Sequence, residues 1–76
     1  MKSYVLISMN EGSESRFVKE LRSYHQIKSA HLIFGEWDII AEIEVPKLED
    51  LSTFLTDKIR PKDEVKLTSS LIVAGE

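Results

Sequence analysis

The chain contains no cysteine. Disulfides and thiolate metal sites are therefore excluded, and the absence fits a reducing compartment such as the cytoplasm. Histidine is almost as scarce: His25 and His31 are the only two, a poor basis for a structural metal site. The three glycines, Gly12, Gly35 and Gly75, do not form a phosphate-cradling loop. Serines are plentiful, but none stands in a G-x-S-x-G context, so no nucleophile elbow is encoded. No basic run exists. Ten Lys and Arg are interspersed among 13 Asp and Glu, for a net charge of −3, which is not the footprint of a nucleic-acid binder. The opening apolar stretch, "YVLISM", is too short for a signal-peptide core and far too short to span a bilayer. No low-complexity segment or linker is visible, so one domain over 1–76 is expected. A chain of 76 residues buries only about 60% of its unfolded surface. Its core rarely supplies more than ~3–5 kcal/mol unaided. Oligomerisation is the expected further source of stability.

Hydrophobic periodicity gives the elements. Tyr4 to Met9 reads as a buried strand. "NEGSES" follows as a turn, with Ser13 placed to cap a helix and Glu14 in its first turn. Phe17, Val18, Leu21 and Tyr24 recur at helical spacing, which predicts an amphipathic helix over about 14–25. Ile27 to Phe34 has the pattern of a strand. From Asp38 to Val45 the alternation is clear: Ile39, Ala41, Ile43 and Val45 on one side, Ile40, Glu42 and Glu44 on the other. Pro46 suits a helix start or the linker before it. Leu48, Leu51, Leu55 and Ile59 form the stripe of a second helix, flanked by Phe54 and stopped by Pro61. Val65 to Ala74 is a last strand.

The order β-α-β-β-α-β is the split-βαβ, ferredoxin-like arrangement, an α+β fold. Right-handed crossovers put both helices on one face of a four-stranded antiparallel sheet. The expected helix-facing set is Ile39, Ala41, Ile43, Val65, Leu67, Leu71 and Val73, with Leu32 and Phe34. The opposite face then carries Ile33, Ile40 and Ile72, plus apolar residues of the first strand whichever parity it takes. An antiparallel face open to water should alternate more cleanly than this. A contiguous apolar patch there marks an interface, most simply a two-fold dimer of sheets, with His31, Glu42, Glu44, Lys66, Thr68 and Ser70 at its rim. A half-solvated face with a few exposed isoleucines is the alternative.

Catalytic machinery is not apparent. His25 sits near a helix end, where a polar or cationic residue is favourable anyway. His31 lies on a strand with no Cys or Asp at ligand spacing. Glu36, Asp38, Glu42 and Glu44 offer carboxylates, but no spacing argues a raised pKa or a partner for acid–base work. The chain is therefore expected not to be an enzyme and to need no metal or cofactor. The informative stretch is "FGEWDIIAEI" (34–43). Read as an ordinary hairpin turn, Gly35 bends it, Asp38 caps it and Trp37 covers the core's edge. Read as a binding site, the backbone N–H groups of the tip receive a carboxylate, Asp38 receives an ammonium and Trp37 walls the pocket. A free amino acid carries both charges on one carbon.

With the βαββαβ order, "IKSAHLIFGEWDIIAEIEV", "LEDLSTFLTDKIRP" and "VKLTSSLIV" together resemble the Lrp/AsnC ligand-binding domain, also called RAM, over essentially the whole chain. The most specific element is the Gly-x-aromatic-Asp turn between the second and third strands. The resemblance implies a homodimer through the sheet face, assembly of dimers into rings such as octamers, and a free amino acid as effector, bound between dimers near the hairpin. It implies effector-binding roles for Gly35, Trp37 and Asp38 on the turn, and for Thr68, Ser69 and Ser70 on the last strand. Trp37 stands where the family usually carries Tyr, which changes the pocket's size.

Full regulators of that family carry an N-terminal helix-turn-helix domain, whereas here Met1 is followed almost at once by the first strand. A stand-alone RAM protein is the expectation, one that does not bind DNA itself and reaches transcription through co-assembly with a full-length Lrp/AsnC regulator. Two alternatives stay open. One is a small enzyme of the dimeric α/β-barrel kind, which needs small or polar residues between helices and sheet. The other is a purely structural oligomer.

Overall fold

β1 (Lys2–Met9) alternates half-exposed and fully buried residues along its whole length, as a strand with one covered face does. It is followed by α1 (Glu14–Arg22), β2 (Ile27–Leu32), β3 (Ile39–Glu44), α2 (Leu48–Phe54), a π-helical turn (Leu55–Ile59) and β4 (Val65–Ile72). The computed structural model describes residues 1–75. The sheet is antiparallel throughout, in the order β2-β3-β1-β4. This is the ferredoxin-like arrangement expected from the order of the elements.

α1 buries Phe17, Val18 and Leu21. It ends at Arg22, before the periodicity does, because Ser23 closes it: both the N–H (3.0 Å) and the hydroxyl (2.6 Å) of Ser23 donate to the Glu20 carbonyl. Ser13 stands at the N-cap position, but its hydroxyl donates to the Asn10 carbonyl at 2.7 Å and so anchors the turn rather than the helix. At the start of α2, Asp50 accepts the Lys47 N–H at 3.2 Å, half of a capping box. The second helix then widens. The Arg60 N–H reaches the Leu55 carbonyl at 2.9 Å, an i to i−5 bond that defines a π turn, and Pro61 follows as the stop.

Glu20 ties α1 to the segment that follows the π turn. Its Oε2 lies 2.7 Å from Lys62 Nζ and accepts the Tyr24 hydroxyl at 2.9 Å. The Tyr24 ring meets Phe54 edge-on at 5.6 Å, and Lys58 Nζ lies 5.5 Å from the Tyr24 ring centre. Burial opposes ionisation of Glu20, but the hydrogen bonds from Lys62 and Tyr24 outweigh it and hold the carboxyl below its ordinary value. The Glu20 hydrogen bond raises Lys62. Burial, and then Glu20, raises Tyr24.

The inner face of the sheet carries Val5, Ile7, Ile39, Ala41 and Ile43, all fully buried against the helices. β4 departs from the expected facing. Leu67 and Leu71 are 64% and 51% exposed, and they pair with Ser8 and Tyr4 on the open side. The cause is a β-bulge. Met9 pairs with Val65 but Ser8 pairs with Leu67, so Lys66 is an extra residue that reverses the alternation beyond it. Val65 stays inside. Val73, whose N–H donates to the Lys2 carbonyl at 3.0 Å, continues the open row. Thr68, Ser70 and Ile72 instead oppose Ile7, Val5 and Ser3 on the helix side. Leu32 pairs with Ile39 on the inner side but remains 52% exposed, and Phe34, beyond the end of β2, is fully exposed. The open face thus gathers Tyr4, Leu6, Ile40, Leu67 and Leu71 across β1, β3 and β4, while Ser29, His31, Glu42 and Glu44 lie toward β2.

Candidate functional site

The arm between β2 and β3 is closed at its base by the Ile33 N–H, which donates to the Asp38 carbonyl at 2.9 Å. Gly35 adopts φ +130°, a backbone state that side-chain-bearing residues rarely hold. Asp38 ties the arm to β1 twice. Its N–H donates to the Ile7 carbonyl at 2.9 Å, and its Oδ2 accepts the Met9 N–H at 2.7 Å. The carboxylate therefore acts across strands, beyond its own turn. Trp37 is half-buried and Glu36 exposed. Among the described residues, the N–H groups of Gly35, Glu36 and Trp37 donate to no backbone carbonyl.

Within one chain the structure does not bring the two predicted groups together. Ile7 of β1 pairs with Ile39 on one side and Thr68 on the other, so β1 stands between the arm and β4, about 10 Å across two strand spacings. Thr68 and Ser70 face the helices, and Ser69 faces the open side with Leu6.

What does meet Asp38 is the start of α1. A cleft of about 320 Å³ is lined by Glu14, Ser15, Leu32, Ile33, Phe34 and Asp38. A second of about 250 Å³ adjoins it, lined by Ser15, Val18, Lys19, Arg22, His31 and Leu32. Sequence reasoning assigned Glu14 to the helix end and Leu32 and Phe34 to the core. Leu32 and Phe34 share the hairpin with Asp38, but no local signal marks Glu14 and Ser15 as its neighbours, because α1 and the arm meet only through the fold. A third cleft, of about 480 Å³, lies beside Phe54 and includes His25, Glu44, Asp50, Asp57 and Lys58. No group of three or more His, Asp or Glu among the described residues is arranged to hold a metal ion. Among the described residues, no helix is long and apolar enough to cross a membrane.

The sequence matches the family model for the Lrp/AsnC ligand binding domain over residues 2–76. No curated protein matches it. Among solved structures, FFRP-DM1 is similar with a TM-score of 0.91 and 32% identity, over 95% of this chain and 96% of that one. The hypothetical protein PHS023 from Pyrococcus horikoshii gives 0.92 and 32%, over 99% and 90%. A transcriptional regulator from Neisseria meningitidis, NMB0573 in complex with L-Met, shares the fold with a TM-score of 0.86 at 19% identity, over 99% of this chain and 50% of that one.

Proposed function

The chain belongs to the Lrp/AsnC ligand-binding-domain family, and from that premise we propose that it is a non-enzymatic sensor of a free amino acid whose binding shifts its state of assembly. One observation carries the reading. The arm presents three backbone N–H groups without backbone partners next to a carboxylate fixed by Met9 through Oδ2. Oδ1 is the oxygen that takes the ammonium, and the N–H groups of Gly35, Glu36 and Trp37 take the carboxylate. Trp37 walls the side chain. The L-Met complex of a regulator with the same fold supports an amino acid as the ligand class.

Because β1 separates Thr68, Ser69 and Ser70 from the arm, those hydroxyls contribute to an effector site only from a neighbouring copy. The proposed assembly is a homodimer through the apolar half of the open sheet face (Tyr4, Leu6, Ile40, Leu67, Leu71), built further into a ring. Its action on transcription, in the cytoplasm, runs through co-assembly with a full-length regulator that contacts DNA. Large side chains, Ile7, Phe17, Leu21, Ile39 and Ile43, fill the space between sheet and helices, where an α/β-barrel enzyme would hold its substrate.

The test is a thermal-shift screen against the twenty amino acids. A ligand present at 100 times its Kd adds about 2.7 kcal/mol per site, a shift of several degrees in a domain this small. A shift from one chemical class of amino acid, lost in Asp38→Asn, is the expected result. No shift from any amino acid leaves the structural oligomer as the better reading.

A further inference from the structure

The clefts of about 320 Å³ and 250 Å³ share Ser15 and Leu32 and form one groove between α1 and the free edge of β2. We propose that this groove docks a short extended peptide with both termini free, running antiparallel to β2. The site is distinct from the amino-acid site at the arm, although both use Asp38.

The lining is bipolar. One end holds Glu14 and Asp38; the other holds Lys19, Arg22 and His31. Each carboxylate accepts one backbone N–H, Glu14 from Gly12 at 2.8 Å and Asp38 from Met9 at 2.7 Å. Among the described residues, none of these five charged or titratable side chains makes an ion pair. Exposed Leu32, shared by both clefts, lies between the ends, and exposed Phe34 lines the acidic end beside Asp38. A ligand with an ammonium at one end, a carboxylate at the other and an apolar middle is complementary to this surface.

Size separates that ligand from an amino acid. Glu14 and Arg22 are eight positions apart on α1, about 12 Å at the helical rise. An extended chain covers about 3.3–3.6 Å per residue, so three or four residues span the groove, whereas the two charges of a free amino acid share one carbon.

The edge of β2 supplies the main-chain contact. Among the described residues, β2 pairs only with β3. Arg22 Nε and Nη2 reach the Ala30 carbonyl at 3.0 and 2.6 Å, so the polar groups of Ala30 point outward. Those of Leu32, two residues on, point the same way and are open to strand addition. Polarity then fixes direction. An ammonium at Asp38 and a carboxylate at Lys19 and His31 make the peptide run from Leu32 toward Ala30, antiparallel to β2, like every other pairing in the sheet.

The experiment is an amide chemical-shift titration of the labelled full chain with the tripeptide Ala-Leu-Ala, its N-acetylated and C-amidated forms, and free leucine. Saturable shifts centred on residues 30–33 and 15–19 are expected, with affinity weakened about three- to tenfold by blocking either terminus. In Lys19→Glu, amidation should cease to matter while acetylation still does. Three results overturn the proposal: no tripeptide binding, equal binding of the blocked forms, or the same amides shifting with protein concentration alone, which makes the occupant another copy. Leucine shifting residues 35–38 while the tripeptide shifts nothing removes this inference and leaves the sensor reading standing.

Discussion

The Asp38 carboxylate accepts the Met9 N–H at 2.7 Å, so the hairpin arm is tied to the end of β1, one of the two central strands of the sheet. Asp38→Ala removes a charge-assisted bond and leaves a backbone donor unpaired. A loss of about 1–3 kcal/mol is expected, lowering Tm by several degrees. Asp38→Asn keeps an acceptor oxygen and should recover most of that stability while losing the charge for an ammonium. Thermal melts and amino-acid titrations of both variants separate the two roles. Wild-type effector affinity in Asp38→Asn would exclude the carboxylate as the ammonium's partner.

The Glu20 cluster predicts a pH window. Glu20 is held below its ordinary value by Lys62 and Tyr24 against the pull of burial, so its contribution is present above the ordinary carboxylate range and is lost as pH falls through its folded value. Lys62 is raised by Glu20, so its contribution is present below the ordinary lysine value and is lost as pH rises through its folded value. Tyr24, raised by burial and by Glu20, behaves the same way. Urea midpoints measured across pH should fall on both flanks; Glu20→Gln should flatten the acid flank and only reduce the alkaline one, because burial still raises Tyr24.

Leu67 and Leu71 face the open side. Leu67→Glu with Leu71→Glu should leave the fold close to intact, within about 0.5 kcal/mol per exposed site, and should weaken self-association strongly. Ser70→Glu, on the helix side of the same strand, should leave association unchanged. Sedimentation and circular dichroism of the variants check this. Unfolding of the double variant would mean that these leucines lie in the core.

Arg22 covers the β2 edge at Ala30 through two nitrogens. Arg22→Ala is expected to cost about 1.5–3 kcal/mol, the range for hydrogen bonds to charged groups, and to promote aggregation at the uncovered edge. Arg22→Lys should rescue poorly, since an ammonium lacks the planar fork. Thermal melts and light scattering of the three proteins give the comparison.

Much of the fold was legible because burial imposes periods. The stripe of Phe17, Val18 and Leu21 gave α1, and the alternation of Ile39, Ala41 and Ile43 gave β3 with its facing. The facing of β4 was not legible. One extra residue, Lys66, reverses it, and a bulge leaves no mark in a local hydrophobic pattern. At the site, the Gly35–Asp38 turn stood out by composition, yet its neighbours Glu14 and Ser15 did not.

The sequence by itself determined the element order, the one-sided core and the character of the arm, because each follows from local spacing and residue chemistry. Only the tertiary structure decided which side Leu67 and Leu71 face, that Asp38 serves Met9, and that β1 separates Thr68 from the arm. Those are matters of strand register and order. They depend on pairing between segments far apart in the chain, which no local pattern records.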